Sequence, residues 1–248
     1  MSIERRNFPQ FFITAPAPCP YLTGKFERKV FTHLLNSDAQ HLHDTLSQGG
    51  FRRSQNIAYR PACEGCASCI SVRIPVADFR WTRGFRRIWR ANRDLATEIV
   101  PAKATSEHYS LFRYYIDQRH GEGGMVDMSV LDFTAMVEES YVRTQLVEYR
   151  LPGRVLSGGR MVKGELIATA LTDVLDDGLS MIYSFYDPDL AARSLGSFMI
   201  LDHIEQARRL GLSHVYLGYW VSGSGKMSYK ARFRPQERLL RDGWTLFD

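Results

Sequence analysis

The sequence predicts an α+β fold, with a mixed-sheet domain over residues 97–248 and a smaller N-terminal α/β domain over residues 1–96. Three observations lead to this reading. Residues 176–235 run as strand, loop, helix, strand and basic loop, and a crossover helix makes the two strands parallel. Residues 97–174 run as one strand, two helices and three strands joined by the turns Pro152-Gly153 and Lys163-Gly164, which suit antiparallel neighbours. Near Thr97 the composition changes from arginine-rich to ordinary, which marks a boundary there.

In the N-terminal part, Lys25 to Leu35 is a strand candidate. Asn36-Ser37-Asp38 then caps a short helix from about Ala39 to Gln48, closed by Gly49-Gly50. His33, His41 and His43 lack a carboxylate at a recognisable spacing and read as surface or packing residues. Cys63, Cys66 and Cys69 repeat every third residue, with Cys19 far upstream. Four such thiols form a candidate site for zinc or an iron–sulfur cluster, because both take soft sulfur ligands. The alternative is a set of partly buried free thiols that tighten a turn.

A basic segment follows. Between Phe51 and Arg93, ten arginines face only Glu64 and Asp78, so this stretch carries +8 of a net +5 and the remainder is −3. After Thr82 the segment reads as a helix on which Arg83, Arg86, Arg87, Arg90 and Arg93 recur at three- and four-residue spacing, with Phe85, Ile88 and Trp89 as the apolar side. Like charges so close repel one another on an isolated helix, so the cluster suits phosphates and is a candidate nucleic-acid-binding surface. A membrane surface or an acidic protein is the competing partner for such a helix. No apolar run reaches the roughly 20 residues of a bilayer span, and the first residues show no signal-peptide pattern. A cytoplasmic protein without a membrane partner, monomeric or weakly oligomeric, is expected.

In the C-terminal part, the expected elements are a strand over 97–103, a helix from Ser106, a flexible loop at Gly121–Gly124 and a helix capped by Ser129. Strands follow over 144–150, 155–162 and 166–174. Leu179–Tyr186 is a strand stopped by Asp187-Pro188-Asp189, and Ser194 or Ser197 caps a helix whose apolar residues include Phe198, Leu201, Ile204 and Leu210. Gly211 ends that helix, and His214–Trp220 is the parallel strand. The loop Arg193-Ser194-Leu195-Gly196-Ser197-Phe198 resembles the pyrophosphate loop of the acetyl-coenzyme-A-dependent N-acetyltransferase (GNAT) fold, except that Phe198 replaces the last small residue. A ring there is expected to obstruct a pyrophosphate, so the scaffold reads as GNAT-like without coenzyme A.

Two stretches together resemble the arginyl-tRNA–protein transferases, in particular their bacterial aspartate/glutamate leucyltransferase branch. The N-terminal carriers are Cys19-Pro20-Tyr21, Gly50-Phe51-Arg52-Arg53-Ser54, Tyr59-Arg60-Pro61, the cysteines before Val72-Arg73, and the basic helix. The C-terminal carriers are Tyr183 to Pro188, Arg193 to Gly196, Tyr216 to Trp220, Lys226 to Lys230 and Phe233-Arg234-Pro235. Leu22 stands where the eukaryotic arginyl enzymes have a second cysteine, and separated thiols replace their adjacent pair, which counts against an iron–sulfur cluster. The resemblance implies aminoacyl transfer from leucyl-tRNA to the N-terminal amine of proteins beginning with Asp or Glu, which creates an N-degron.

That chemistry needs a neutral amine, an oriented ester and a stabilised oxyanion, and no cofactor. An α-amino group with pKa near 7.7–8.0 is partly neutral at pH 7, and an acidic side chain is best met by a forked guanidinium. On this basis Arg52, Arg53 and Arg60, with Tyr59, are assigned to the acceptor carboxylate. Asp187 is assigned to the incoming ammonium, and Lys226 and Lys230, with Tyr219 and Tyr229, to the tRNA end or the oxyanion. The competing functions are a coenzyme-A-dependent N-acetyltransferase and a non-catalytic tRNA-binding protein.

Overall fold

The computed structural model describes residues 9–119, 124–155, 159 and 161–248. Residues 1–8, most of the Gly121–Gly124 loop and the middle of the expected 155–162 strand lie outside the described residues. Eight strands form the main sheet: β1 (Cys69–Pro75), β2 (Ala96–Pro101), β3 (Thr144–Arg150), β4 (Leu166–Val174), β5 (Gly178–Tyr186), β6 (His214–Val221), β7 (Gln236–Leu240) and β8 (Gly243–Phe247). Their spatial order is β8-β7-β1-β6-β5-β4-β3-β2. β5 and β6 are parallel, and the other neighbours are antiparallel. The expected sequence of strand, two helices, antiparallel strands and strand–helix–strand is the observed order of the C-terminal half, except that the expected 155–162 strand is instead a separate pairing of Arg154–Val155 with Met161–Val162 outside the main sheet.

Alternation along the strands gives each face its own core. Leu146, Leu171 and Phe185 face α3 (Ser106–Arg119) and α4 (Val130–Glu138), where Phe112 and Phe133 pack at 4.9 Å between ring centroids. Their neighbours Val147 and Ala170 face the other way, toward α5 (Leu195–Arg209) and α2 (Arg83–Ala91). Thr82 caps α2 by accepting from Phe85 N, and Phe85 and Ile88 turn inward. Phe85 stacks on Phe233 at 4.8 Å, and burying such a ring contributes about 1.5–3 kcal/mol. The opposite face of α2 holds the arginines.

The division expected between residues 96 and 97 is not a division of the packing. β1, from before that boundary, lies between β6 and β7, and Val72 and Ile74 bury in the same cluster as Val215 and Leu217. Phe79, Phe85 and Ile88 join that cluster as well. The alternating apolar residues of β1 supply a central strand that the C-terminal half lacks. The pair β7–β8 follows the expected basic loop, which ends at Pro235.

What remains separate at the N-terminus is a four-stranded antiparallel sheet ordered Phe12–Ile13, Lys29–His33, Ile57–Pro61, Arg52–Ser54. With α1 (Ala39–Gln48) it buries Leu34, Leu46 and Ala58 around Val142 from the other half. A buried polar knot fixes the dock. Arg53 donates Nε to Asp173 Oδ2 at 2.7 Å and Nη2 to Oδ1 at 2.6 Å, and His43 Nε2 meets the same carboxylate at 2.9 Å.

Candidate functional site

The site is built where the two parallel strands part. β5 and β6 pair only at Gly178–His214, Leu179–Val215 and Ser180–Tyr216, then diverge. Divergence leaves backbone carbonyls unpaired in the interior, where each needs a donor. Two cations supply it. Arg52 reaches across from the N-terminal sheet and donates Nη2 to Met181 O at 2.8 Å and Ile182 O at 2.9 Å. Lys230, from the turn of helix Gly225–Arg232, donates Nζ to Leu217 O and Tyr219 O, both at 2.8 Å. Lys230 is 6% exposed, and burial together with the nearby Arg52 charge pushes its pKa well below the usual lysine value.

Near the end of β5, tyrosines from three elements gather. Tyr115 of α3 and Tyr186 of β5 lie 4.9 Å apart, and the Arg119 guanidinium sits 5.7 Å over the Tyr186 ring. Tyr229 lies within electrostatic reach of Arg52 and Tyr186, and remains 40% exposed. Burial pushes Tyr183 up to about 12, so its phenol stays protonated at neutral pH. No local spacing marks Tyr115 or Arg119 in the sequence, because only packing brings α3 to the end of β5.

The remaining expected residues divide sharply. Tyr59 lies near this site, 6.4 Å from the Tyr219 ring, and Arg60 is exposed, with Nη1 on Gly49 O and its guanidinium over Phe51. Arg53 is not available to a substrate: it is 2% exposed and occupied by Asp173, Gln55 O and Thr144. Tyr219 is 6% exposed, and its hydroxyl bonds Gly50 O at 3.0 Å and Tyr59 O at 3.2 Å. It ties β6 to the N-terminal sheet rather than meeting a reacting atom. Burial drives its phenol far above the ordinary range. Lys230 is likewise a structural donor to the split rather than a surface contact. Lys226 is exposed and makes no ion pair among the described residues. Asp187 stands at the end of β5 and accepts Asp189 N through Oδ1 at 2.9 Å, which caps the following turn.

The loop before α5 is arranged differently from the expectation. Phe198 is 4% exposed and points into the core against Trp89 and Tyr149, away from the loop mouth. Tyr186 instead covers Gly196, whose added Cβ would meet the ring at 3.3 Å. Arg193 is held by both oxygens of Asp94 at 2.9 Å, so it is not turned toward a pyrophosphate. Ser194 begins α5 with a left-handed backbone (φ 53°) and no side-chain cap, unlike the expected serine cap.

The four thiols are free and half-buried, and Cys69 feels the other three; burial first, then their charge, pushes it up to about 11. Cys63 turns to Arg28 O at 3.7 Å and Cys66 to Ser68 at 3.5 Å, and among the described residues no three His, Cys, Asp or Glu groups are arranged to hold a metal ion. The arginines at 83, 86, 87, 90 and 93 are all exposed, with no ion pair among the described residues.

Residues 17–87 match the family described as "Arginine-tRNA-protein transferase, N terminus", and residues 107–240 match the corresponding C terminus. The chain belongs to the arginine-tRNA-protein transferase family. A Xanthobacter autotrophicus protein named aspartate/glutamate leucyltransferase is 61% identical over 247 residues, covering 98% of each chain. Proteins of the same name from Azorhizobium caulinodans and Brucella ovis are 59% and 58% identical over 248 residues, covering all of both chains. Among solved structures, FemX superposes with a TM-score of 0.47 at 11% identity over 81% of this chain and 65% of that one. L-PGS from Bacillus licheniformis gives 0.45 at 11% identity over 76% and 52%. In this chain the two matched segments share one sheet, because β1 comes from the first and β3 to β7 from the second. No helix among the described residues is long and apolar enough to cross a membrane.

Proposed function

We propose that this protein transfers leucine from leucyl-tRNA to the N-terminal α-amine of proteins beginning with Asp or Glu, marking them as N-degrons. The observation that carries this reading is identity of 57–61% along the whole chain to proteins named aspartate/glutamate leucyltransferase. The amine attacks the ester carbonyl, the tetrahedral intermediate collapses, and the ribose oxygen of the tRNA leaves with the proton the amine gives up. An ester is already activated toward an amine, so positioning accounts for most of the catalysis and no cofactor is required.

On this reading the work is distributed differently from the sequence assignment. Arg60, exposed beside Tyr59, and the outward edge of Arg52 meet the acceptor carboxylate. Arg53, Tyr219 and Lys230 hold the frame that positions them. Asp187 at the end of β5 receives the incoming ammonium, and Lys226 meets the tRNA end. Arg83, Arg86, Arg87, Arg90 and Arg93 present the phosphate-binding face. The covering of Gly196 by Tyr186 and the Arg193–Asp94 pair argue against the acetyl-coenzyme-A reading.

The test offers peptides beginning Asp, Glu, Lys or Ala together with tRNA charged with labelled leucine or arginine, and follows transfer by mass. Leucine on the Asp and Glu peptides alone is the expected result. Arginine in its place would keep the family and overturn the donor. Transfer of neither amino acid by folded, tRNA-bound protein would leave a binding protein.

A further inference from the structure

A second group of side chains lies on the α2–α5 face. Trp81 and Trp89 meet edge to face, with centroids 5.4 Å apart at 82°. With Arg86, Arg90 and Glu205 they line a shallow cleft of about 290 Å³. The tryptophans are half-buried and held from below, Trp81 by Phe79 at 5.8 Å and Trp89 by Phe198 at 5.5 Å. Arg86 and Arg90 are four residues apart on α2, exposed, and without an ion pair among the described residues, although Glu205 lines the same cleft. Glu205 pairs instead with Arg208 on its own helix.

Each wall selects for a different part of a ligand. The aromatic floor suits a flat ring, since base–aromatic stacking tolerates any base. The two guanidiniums suit an anion beside that ring. Glu205 accepts hydrogen bonds and repels anions, so it suits an N–H edge. A free phosphate or an acidic peptide would leave the tryptophans unused and meet Glu205 unfavourably. A nucleotide satisfies all three walls: base on Trp81 and Trp89, phosphate on Arg86 and Arg90, and an amino or imino group on Glu205.

We infer that this cleft takes one splayed-out nucleotide of the tRNA and stacks its base. The inference rests on the proposed use of an aminoacyl-tRNA and adds where an unpaired base is gripped. The Arg-rich face then acts as more than a nonspecific phosphate surface, because stacking on Trp81 orients the strand that lies along α2.

The experiment measures tRNA affinity over a range of salt, and leucine transfer, for the full chain and for Trp81→Ala, Trp81→Phe and the double variant Arg86→Gln/Arg90→Gln. Trp81→Ala is expected to weaken tRNA binding about tenfold, equivalent to about 1.4 kcal/mol, without changing the slope of log Kd against log salt. Trp81→Phe keeps most of the affinity. The arginine double variant lowers the slope by about 0.9, for the one phosphate the two guanidiniums hold together. Trp81→Leu, which fills much of the same volume without a π face, replaces Trp81→Ala should the latter not fold. Affinity of either folded variant within twofold of the parent would overturn the inference, and so would a parent that does not bind tRNA. A parent that binds tRNA but transfers no leucine would overturn the proposed function alone, because the cleft is judged by affinity.

Discussion

The guanidinium of Arg52 occupies the space that a side chain on Gly218 would need: an added Cβ would lie 1.2 Å from Arg52 Nη1. Gly218 also has φ +73°, where other residues are strained. Gly218→Ala is therefore expected to expel Arg52 from Met181 O and Ile182 O and leave both carbonyls without a donor. The cost is about 2–4 kcal/mol, from an unsatisfied buried group plus left-handed backbone strain. Leucyl transfer should fall at least tenfold. Urea unfolding of Gly218→Ala, Arg52→Ala and the double variant checks this. The two losses should not add, since both break the same contact.

Arg60 and Arg53, on paired strands of the N-terminal sheet, should separate recognition from stability. Arg60→Ala leaves the melting temperature nearly unchanged and raises KM for Asp and Glu peptides about tenfold, with kcat little altered. Arg60→Lys should not restore affinity, because a lysine lacks the two-pronged fork. Arg53→Ala instead strands Asp173 in the interior and costs about 3–5 kcal/mol. Equal thermal shifts for the alanine variants would refute the assignment.

The Asp173 knot sets an acid limit on the fold. Burial by itself would raise this carboxyl, yet Arg53 and the His43 hydrogen bond hold it at about 2. Its ordinary value is about 3.9, so the unfolded chain binds the proton first as pH falls. The ionised pair contributes its full stability above roughly pH 4, and the contribution disappears as pH drops through about 2. The amount is on the order of 2–3 kcal/mol. Asp173→Asn should be less stable than the parent at pH 7, and the gap should narrow toward pH 3 in denaturant titrations at the two pH values.

Asp187 offers a charge-only substitution. Asn at this position keeps an oxygen for Asp189 N and so retains the turn. If the carboxylate receives the substrate ammonium, Asp187→Asn loses at least tenfold in kcat/KM while its melting temperature holds within about 2 °C. Retention of full activity would reduce Asp187 to a turn former.

Arg83 and Arg87 lie outside the tryptophan cleft on the same helix. Each change to Gln should reduce the slope of log Kd against log salt by about 0.9 and weaken charged and uncharged tRNA alike. Filter binding at several salt concentrations reads this directly, and slopes that stay at the parent value would take the face out of the tRNA path.

Much of the secondary structure was legible because its signals are local. The helix start after Thr82, the cap Ser129, the stop at Gly211 and the apolar, aromatic run of β5 all act within a few residues. The site was legible as a region and not as roles. Arg52 and Arg53 are adjacent, so their side chains leave the strand on opposite faces. One face meets the buried Asp173 and the other the split between β5 and β6. Nothing in the pair itself says which partner waits on which side. Phe198 shows the same limit, since a ring at a loop position turned inward with the first turn of α5.

By itself the sequence determined the order of elements, the basic face of α2 and, through motifs in both halves, the kind of transferase the chain resembles. Those properties depend on residue type and short-range spacing. The tertiary structure alone decided that β1 crosses the expected boundary to complete the sheet, and that Arg52 and Lys230 fill the gap between diverging strands. It also decided that Tyr219 and Arg53 serve the frame. Each of these depends on buried polar groups finding donors or acceptors more than ten, and often more than a hundred, residues away. Such pairing is set by how the two halves dock, which no local pattern encodes.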